Sequence, residues 1–125
     1  MKYLILIHQN RSARAQFAAM PADVQASGLQ AYLDLNAQLA ASGEYVSAEA
    51  LADDSTSTVV SMRSGSPVST DGPFAEAKEM LAGFYLVDVA SKERAIEIAL
   101  RIPEVAAGAG DVEIRPVMDY SAPDA

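Results

Sequence analysis

The residues best equipped for chemistry crowd into one stretch, "TDGPFAEAKEM", at positions 70–80. Asp71 precedes Gly72 and Pro73, so its carboxylate is held on a turn that glycine permits and proline stiffens. If that turn faces an apolar cavity, the carboxyl is pushed up toward neutrality and can act as a general base. The same residue types also build an ordinary turn, with the aspartate bonding its own backbone. In an extended segment Phe74, Glu76, Lys78 and Met80 share one face and Glu79 lies on the other. Glu76 and Lys78 are then spaced to orient an acidic or hydroxylated ligand. As a solvated ion pair they would contribute less than ~1 kcal/mol.

Three further residues qualify. His8, the one histidine of the chain, shares a strand face with Leu4 and Leu6; it is either a rim residue of the core or a proton carrier with a reference pKa of ~6.5. Beside Asp71 it would complete a proton-transfer pair. Tyr85 offers a phenol to a cavity or fills the core. Arg115 could meet a substrate carboxylate across a sheet, or pair with Glu113 on the surface.

Totals narrow the function classes. The chain has no cysteine, which removes thiolate catalysis, disulfides and cysteine-based zinc sites. A single histidine makes a histidine-rich metal site impossible, so no metal is expected. "AAGAGD" follows a helix and opens none, and "RSGS" lacks the glycine spacing of a nucleophile elbow, so no cofactor is expected either. A net charge of −8 with scattered basic residues argues against nucleic acid and anionic membranes as partners. The apolar run Tyr3 to Ile7 is too short for a signal peptide, and no stretch approaches a ~20-residue membrane span. The expectation is a cytoplasmic protein.

These residues need elements to hold them, and 125 residues supply one domain, expected over 1–120 with a loose tail at 121–125. Residues 2–8 form a strand apolar on both faces. Residues 9–20 read as a loop. A helix from Pro21 to about Ser42 carries the stripe Val24, Gly28, Ala31, Leu35, Leu39, with Gly43 as its left-handed cap. Strands follow at about 44–50, 57–63 and 67–70, the last two joined by the turn "RSGSP". Residues 83–89 are again apolar on both faces. Ser91 caps a helix through Arg101 that turns Ala95, Ile98, Ala99 and Ile102 inward and is stopped by Pro103. "AAGAGD" reads as a flexible connection to a last strand, 112–118, which Pro116 marks as an edge and in which Val112, Ile114 and Met118 share a face. The order predicts an α+β fold, a ferredoxin-like split βαβ sheet with both helices on one face. Its other face stays apolar, which predicts a homodimer.

"MKYLILI", "TDGPFAEAKEMLAGFYLVDV" and "AIEIALRIP…GDVEIRPVM" together resemble the DGPF-domain branch of the YCII-related proteins, over residues 1–119. The resemblance implies a dimeric α+β barrel built of ferredoxin-like units, and relatives that handle small aromatic or lactone-like acids, one with dehydrochlorinase-like activity. It also implies a setting beside extracytoplasmic-function sigma factors. The histidine expected early in the first helix of the wider group is missing from "PADVQASGLQAYLDL", Ala82-Gly83 replaces the usual Gly-Gly, and His8 stands where many relatives have tyrosine. The expected function is small-molecule binding with proton-transfer or lyase chemistry on an aromatic or carboxylated compound. Asp71 and His8 are the catalytic candidates, and Glu76, Lys78, Tyr85 and Arg115 the ligand-binding ones. The alternative is a non-catalytic regulatory module tied to a sigma-factor system.

Overall fold

The computed structural model describes residues 1–73 and 79–121. Among the described residues there are six strands, β1 (Lys2–Asn10), β2 (Tyr45–Ala50), β3 (Thr58–Arg63), β4 (Ser66–Asp71), β5 (Glu79–Asp88) and β6 (Gly110–Pro116), and four α-helices. These are α1 (Arg11–Ala18), α2 (Ala22–Ser42), α3 (Lys92–Ala99) and α4 (Pro103–Ala106). A four-stranded antiparallel sheet runs in the order β2-β5-β1-β6, while β3 and β4 form a separate hairpin. With that hairpin set aside, the strand order is the ferredoxin-like one, so the α+β expectation holds.

Alternation along β1 and β5 sorts the core. Tyr3, Ile5 and Ile7 on β1 and Tyr85 and Val87 on β5 are buried against Leu35 and Leu39 of α2 and against Ala95, Ile98, Ala99 and Ile102 in and after α3. α2 and α3 therefore cover the same face. Full burial of a side chain such as Ile5, Leu39 or Ile98 stabilises by about 1.5–3 kcal/mol. The opposite face is formed by Leu4, Leu6, Phe84 and Leu86, cross-strand neighbours in register, and all are only half-buried.

Several boundaries differ from expectation for local physical reasons. Residues 9–20 are not a loop: Asn10 closes β1 and caps α1, its side chain accepting from the N–H groups of Ser12 and Ala13. An asparagine at that position satisfies helix N–H groups that would otherwise be orphaned. The stripe of α2 is narrower than predicted, since Val24 and Ala31 are exposed. Tyr32 instead packs on the core beside Leu35 and Leu39. α3 ends at Ala99 rather than Arg101, and Pro103 begins α4 instead of only ending a helix. Proline suits that first helical position because its missing N–H costs nothing there. The "AAGAGD" segment is no free linker, because Gly110 and Asp111 already pair in β6. β6 ends at Pro116, so Met118 lies beyond it and is exposed. β5 starts four residues early, at Glu79.

The predicted details that hold include Gly43 in the left-handed region (φ 80°) and Ser91 capping α3 by accepting from the Arg94 N–H. The edge position of β6 and the β3–β4 turn at Ser64 and Gly65, both with positive φ, also hold. No helix among the described residues is long and apolar enough to cross a membrane.

Candidate functional site

The sheet divides the residues singled out from the sequence. Asp71 ends β4, opposite Thr58, and is exposed. It shares its side of the hairpin with Val60 and Met62. A hollow of about 410 Å³ opens on the other side, lined by Val59, Ser61, Arg63, Val68, Thr70 and Pro73. Gly72 has φ 103°, and its N–H donates to the Ser57 carbonyl at 2.7 Å. His8 lies on the outer face of the four-stranded sheet, between Leu81 of β5 and Asp111 of β6. Arg115 lies on that same face, with its guanidinium 3.2 Å from the Glu113 carboxylate. Tyr85 is on the inner face, only 2% exposed. No hydrogen bond or ion pair among the described residues joins Asp71 to His8. Glu76 and Lys78 lie outside the described residues.

A second constellation, which residue-by-residue reading missed, sits where β1 hands over to α1. β1 alternates without a break, so Gln9 follows Tyr3, Ile5 and Ile7 to the helix side while His8 follows Leu4 and Leu6 away from it. The β-bulge lies opposite, at Ala82 of β5, and brings Met80 beside Gln9. The Gln9 amide oxygen accepts from Arg14 at 3.0 Å, and its NH2 donates to Glu104 of α4 at 3.0 Å. The reverse amide orientation would set NH2 against a guanidinium and oxygen against a carboxylate, so charge fixes it. The other Glu104 oxygen accepts from the Tyr32 hydroxyl. Tyr32 lies nearly parallel to Tyr85, with ring centroids 6.4 Å apart, and the Tyr85 hydroxyl donates to the Asn36 side chain. Burial is the main reason both phenols are raised. Tyr85 goes up to about 12, and Tyr32 is raised further by its bond to Glu104. Neither is a base near neutral pH.

Beyond Gln9 the chain of contacts reaches a cavity of about 210 Å³ lined by Arg11, Arg14, Ala15, Ala18, Asp53 and Met80. Met80 is buried at its floor. Two aspartates from the short 3-10 turn after β2 face the two arginines. Arg11 makes a two-pronged pair with Asp54, 2.8 Å on one prong. Arg14 approaches Asp53 at 3.6 Å. Both carboxyls are lowered: Asp53 first by its bonds from Ser55, Asp54 first by Arg11. The arrangement offers guanidinium donors and carboxylate acceptors at the rim of an apolar floor, which suits holding a small polar ring compound. The spacing of Arg11 and Arg14, one helical turn apart once α1 is a helix, was the signal for it.

Comparison with known proteins fixes the family. The YCII-related domain matches residues 1–121. The chain belongs to the YCII-related family. An uncharacterized protein of Rhizobium meliloti (strain 1021) is 43% identical over 56 residues, a stretch covering 45% of this chain and 45% of that protein. Among solved structures, the 5-chloro-2-hydroxyhydroquinone dehydrochlorinase of Burkholderia phenoliruptrix AC1100, in complex with 2,5-dihydroxybenzoquinone, is similar with a TM-score of 0.56. It covers 97% of both chains at 15% identity. At that identity the likeness establishes a shared fold.

Proposed function

We propose that this YCII-related protein, of the DGPF branch, binds a small aromatic or carboxylated compound and acts on it by proton transfer or elimination. The observation that carries the binding half is the 210 Å³ cavity with Met80 at its floor and Arg11, Arg14 and Asp53 at its rim. A cavity of ~150 Å³ already accepts benzene, so a single substituted ring is the right size. The reaction half draws support from the structural neighbour, whose named activity is a dehydrochlorination and whose bound molecule is a dihydroxylated quinone. Asp71 and His8 remain the proposed proton carriers; they stand on different sheets and neither lines this cavity, so each would act on a compound at its own position. No observation favours a sigma-factor module.

NMR titration with 2,5-dihydroxybenzoquinone, hydroquinone and benzoate tests the binding. At least one should perturb α1 amides and the Met80 methyl; three silent titrations would sink the reading. Proton transfer is tested by mass spectrometry of the bound compound after incubation in D2O, which should show deuterium uptake that Asp71→Asn or His8→Gln abolishes.

We also propose a homodimer. Leu4, Leu6, Phe84 and Leu86 form an apolar strip bordered by Ser47 and Glu49 on β2 and by Asp111, Glu113 and Arg115 on β6. An apolar centre with a charged rim is the anatomy of a protein interface. Light scattering should report twice the 13.2 kDa chain mass.

A further inference from the structure

We infer that Arg14 is the anion anchor of the 210 Å³ cavity, that the cavity therefore selects single-ring carboxylates over their neutral counterparts, and that Gln9 positions that anchor. The inference rests on the small-molecule reading above and adds the ligand's charge.

Of the two arginines at the rim, Arg11 is neutralised by a two-pronged pair with Asp54. Arg14 is not. Its nearest carboxylate, on Asp53, is 3.6 Å away and half exposed, and that carboxylate also accepts from the Ser55 N–H at 3.0 Å. Among the described residues, the one close hydrogen bond of Arg14 goes to a neutral acceptor, the Gln9 amide oxygen at 3.0 Å. That bond uses one terminal nitrogen, and no described residue partners the other. A guanidinium tied down at one nitrogen, with its charge weakly compensated, is pre-organised to take a carboxylate.

The tie is itself braced. Gln9 is held by Glu104, and Glu104 by Tyr32, whose ring lies on the buried Tyr85. The Glu104 charge polarises the Gln9 amide and strengthens its oxygen as an acceptor for Arg14. Ala15, Ala18 and Met80 complete an apolar surface against which a ring can lie. The net charge of −8 opposes an incoming anion at long range, but that field is screened beyond about 8 Å at physiological salt. The local contact decides.

The test is calorimetric titration with benzoate and with benzamide, the neutral isostere, on the full chain. The wild type should bind benzoate at least tenfold more tightly than benzamide, and benzoate should weaken as salt rises. Arg14→Gln should bring that ratio close to one, and Arg14→Lys should keep part of it, with melting temperatures near wild type in both. Gln9→Ala should lower benzoate affinity several-fold and leave benzamide unchanged, a split that mere loss of structure would not produce. A wild-type ratio near one with both compounds bound overturns the anion anchor and leaves small-molecule binding standing. The same holds if Arg14→Gln and Arg14→Lys both retain the full ratio. If neither compound binds, the inference and the reading of this cavity fall together.

Discussion

The two faces of the four-stranded sheet are built from the same kinds of residue and meet different fates. On the inner face Ile5 and Val87 are fully buried and Tyr3, Ile7 and Tyr85 nearly so. On the outer face Leu4, Leu6, Phe84 and Leu86 stay half-buried, with His8 beside them. Strand sequence alone treats these faces alike, because β1 and β5 are apolar at both odd and even positions. What separates them is which side the helices cover, and one chain has only enough helix for one side.

The largest effect expected tests that contrast directly. Leu39→Ala or Ile5→Ala should cost about 2–5 kcal/mol in denaturant unfolding, the range for cavities left in a packed core. Leu6→Ala should cost about 1 kcal/mol in a lone chain, where its side chain is half solvated. If Leu6→Ala costs as much as Ile5→Ala, and the cost grows with protein concentration, the outer face is covered by a second copy in solution. Leu6→Asp should then halve the mass seen by light scattering. If it leaves an existing dimer intact, the dimer is built on some other surface.

A smaller effect is expected at the sheet edge. A Cβ on Gly110 would lie 2.3 Å from the His8 carbonyl oxygen. Gly110→Ala must therefore spread β6 from β1, at about 1–3 kcal/mol, with faster amide exchange confined to that pair. Gly72→Ala meets no such clash among the described residues, none of which lies within 4 Å of the added atom. Its cost is backbone strain at φ 103°, about 1–2 kcal/mol. Asp71→Asn in the same turn should change stability by less than ~0.5 kcal/mol. Equal melting temperatures for the Gly72→Ala and Asp71→Asn variants would show that the turn does not need its glycine.

The smallest effect is a pH dependence. Arg94 on α3 pairs with Glu44 before β2 at 2.8 Å, and this bond is the first reason the Glu44 carboxyl falls from 4.5 to about 2. A folded-state value below the unfolded one means the pair stabilises fully above pH 4.5 and less as pH falls toward 2. Arg94→Gln should flatten the acid limb of the melting-temperature profile. An unchanged limb would assign the acid sensitivity to other carboxylates, such as Asp53 and Asp54. At the alkaline end the sign reverses. The raised phenol of Tyr85 stabilises fully below pH 10 and is lost as pH rises through about 12, so Tyr85→Phe should hold its melting temperature better there.

Much of the fold was legible because it depends on local chemistry. Two-faced apolar runs made central strands, Ser91 and Gly43 marked helix ends, and the Ser64-Gly65 turn joined its hairpin. The errors were also local in origin. Asn10 was a cap hidden in a polar stretch, and Pro103 looked like a stop because proline serves both ends of a helix. The candidate site was legible only in part. Tyr85, Asp71, His8 and Arg115 were visible as residue types, but which of them share a face depends on sheet membership, and Asp71 lies in a hairpin outside the main sheet.

By itself the sequence determined the strand and helix content, the absence of cysteine chemistry and the split βαβ order, because these follow from side-chain type and spacing of near neighbours. Only the tertiary structure decided that Gln9, Tyr32, Arg14, Asp53 and Glu104 form one connected cluster around a cavity. Those residues span positions 9 to 104 in the chain. A one-residue bulge at Ala82 of β5, opposite Ile7 and His8, turns Met80 to the helix side beside Gln9. Such a slip changes which face a side chain serves without changing its identity, so it leaves no mark in composition or periodicity.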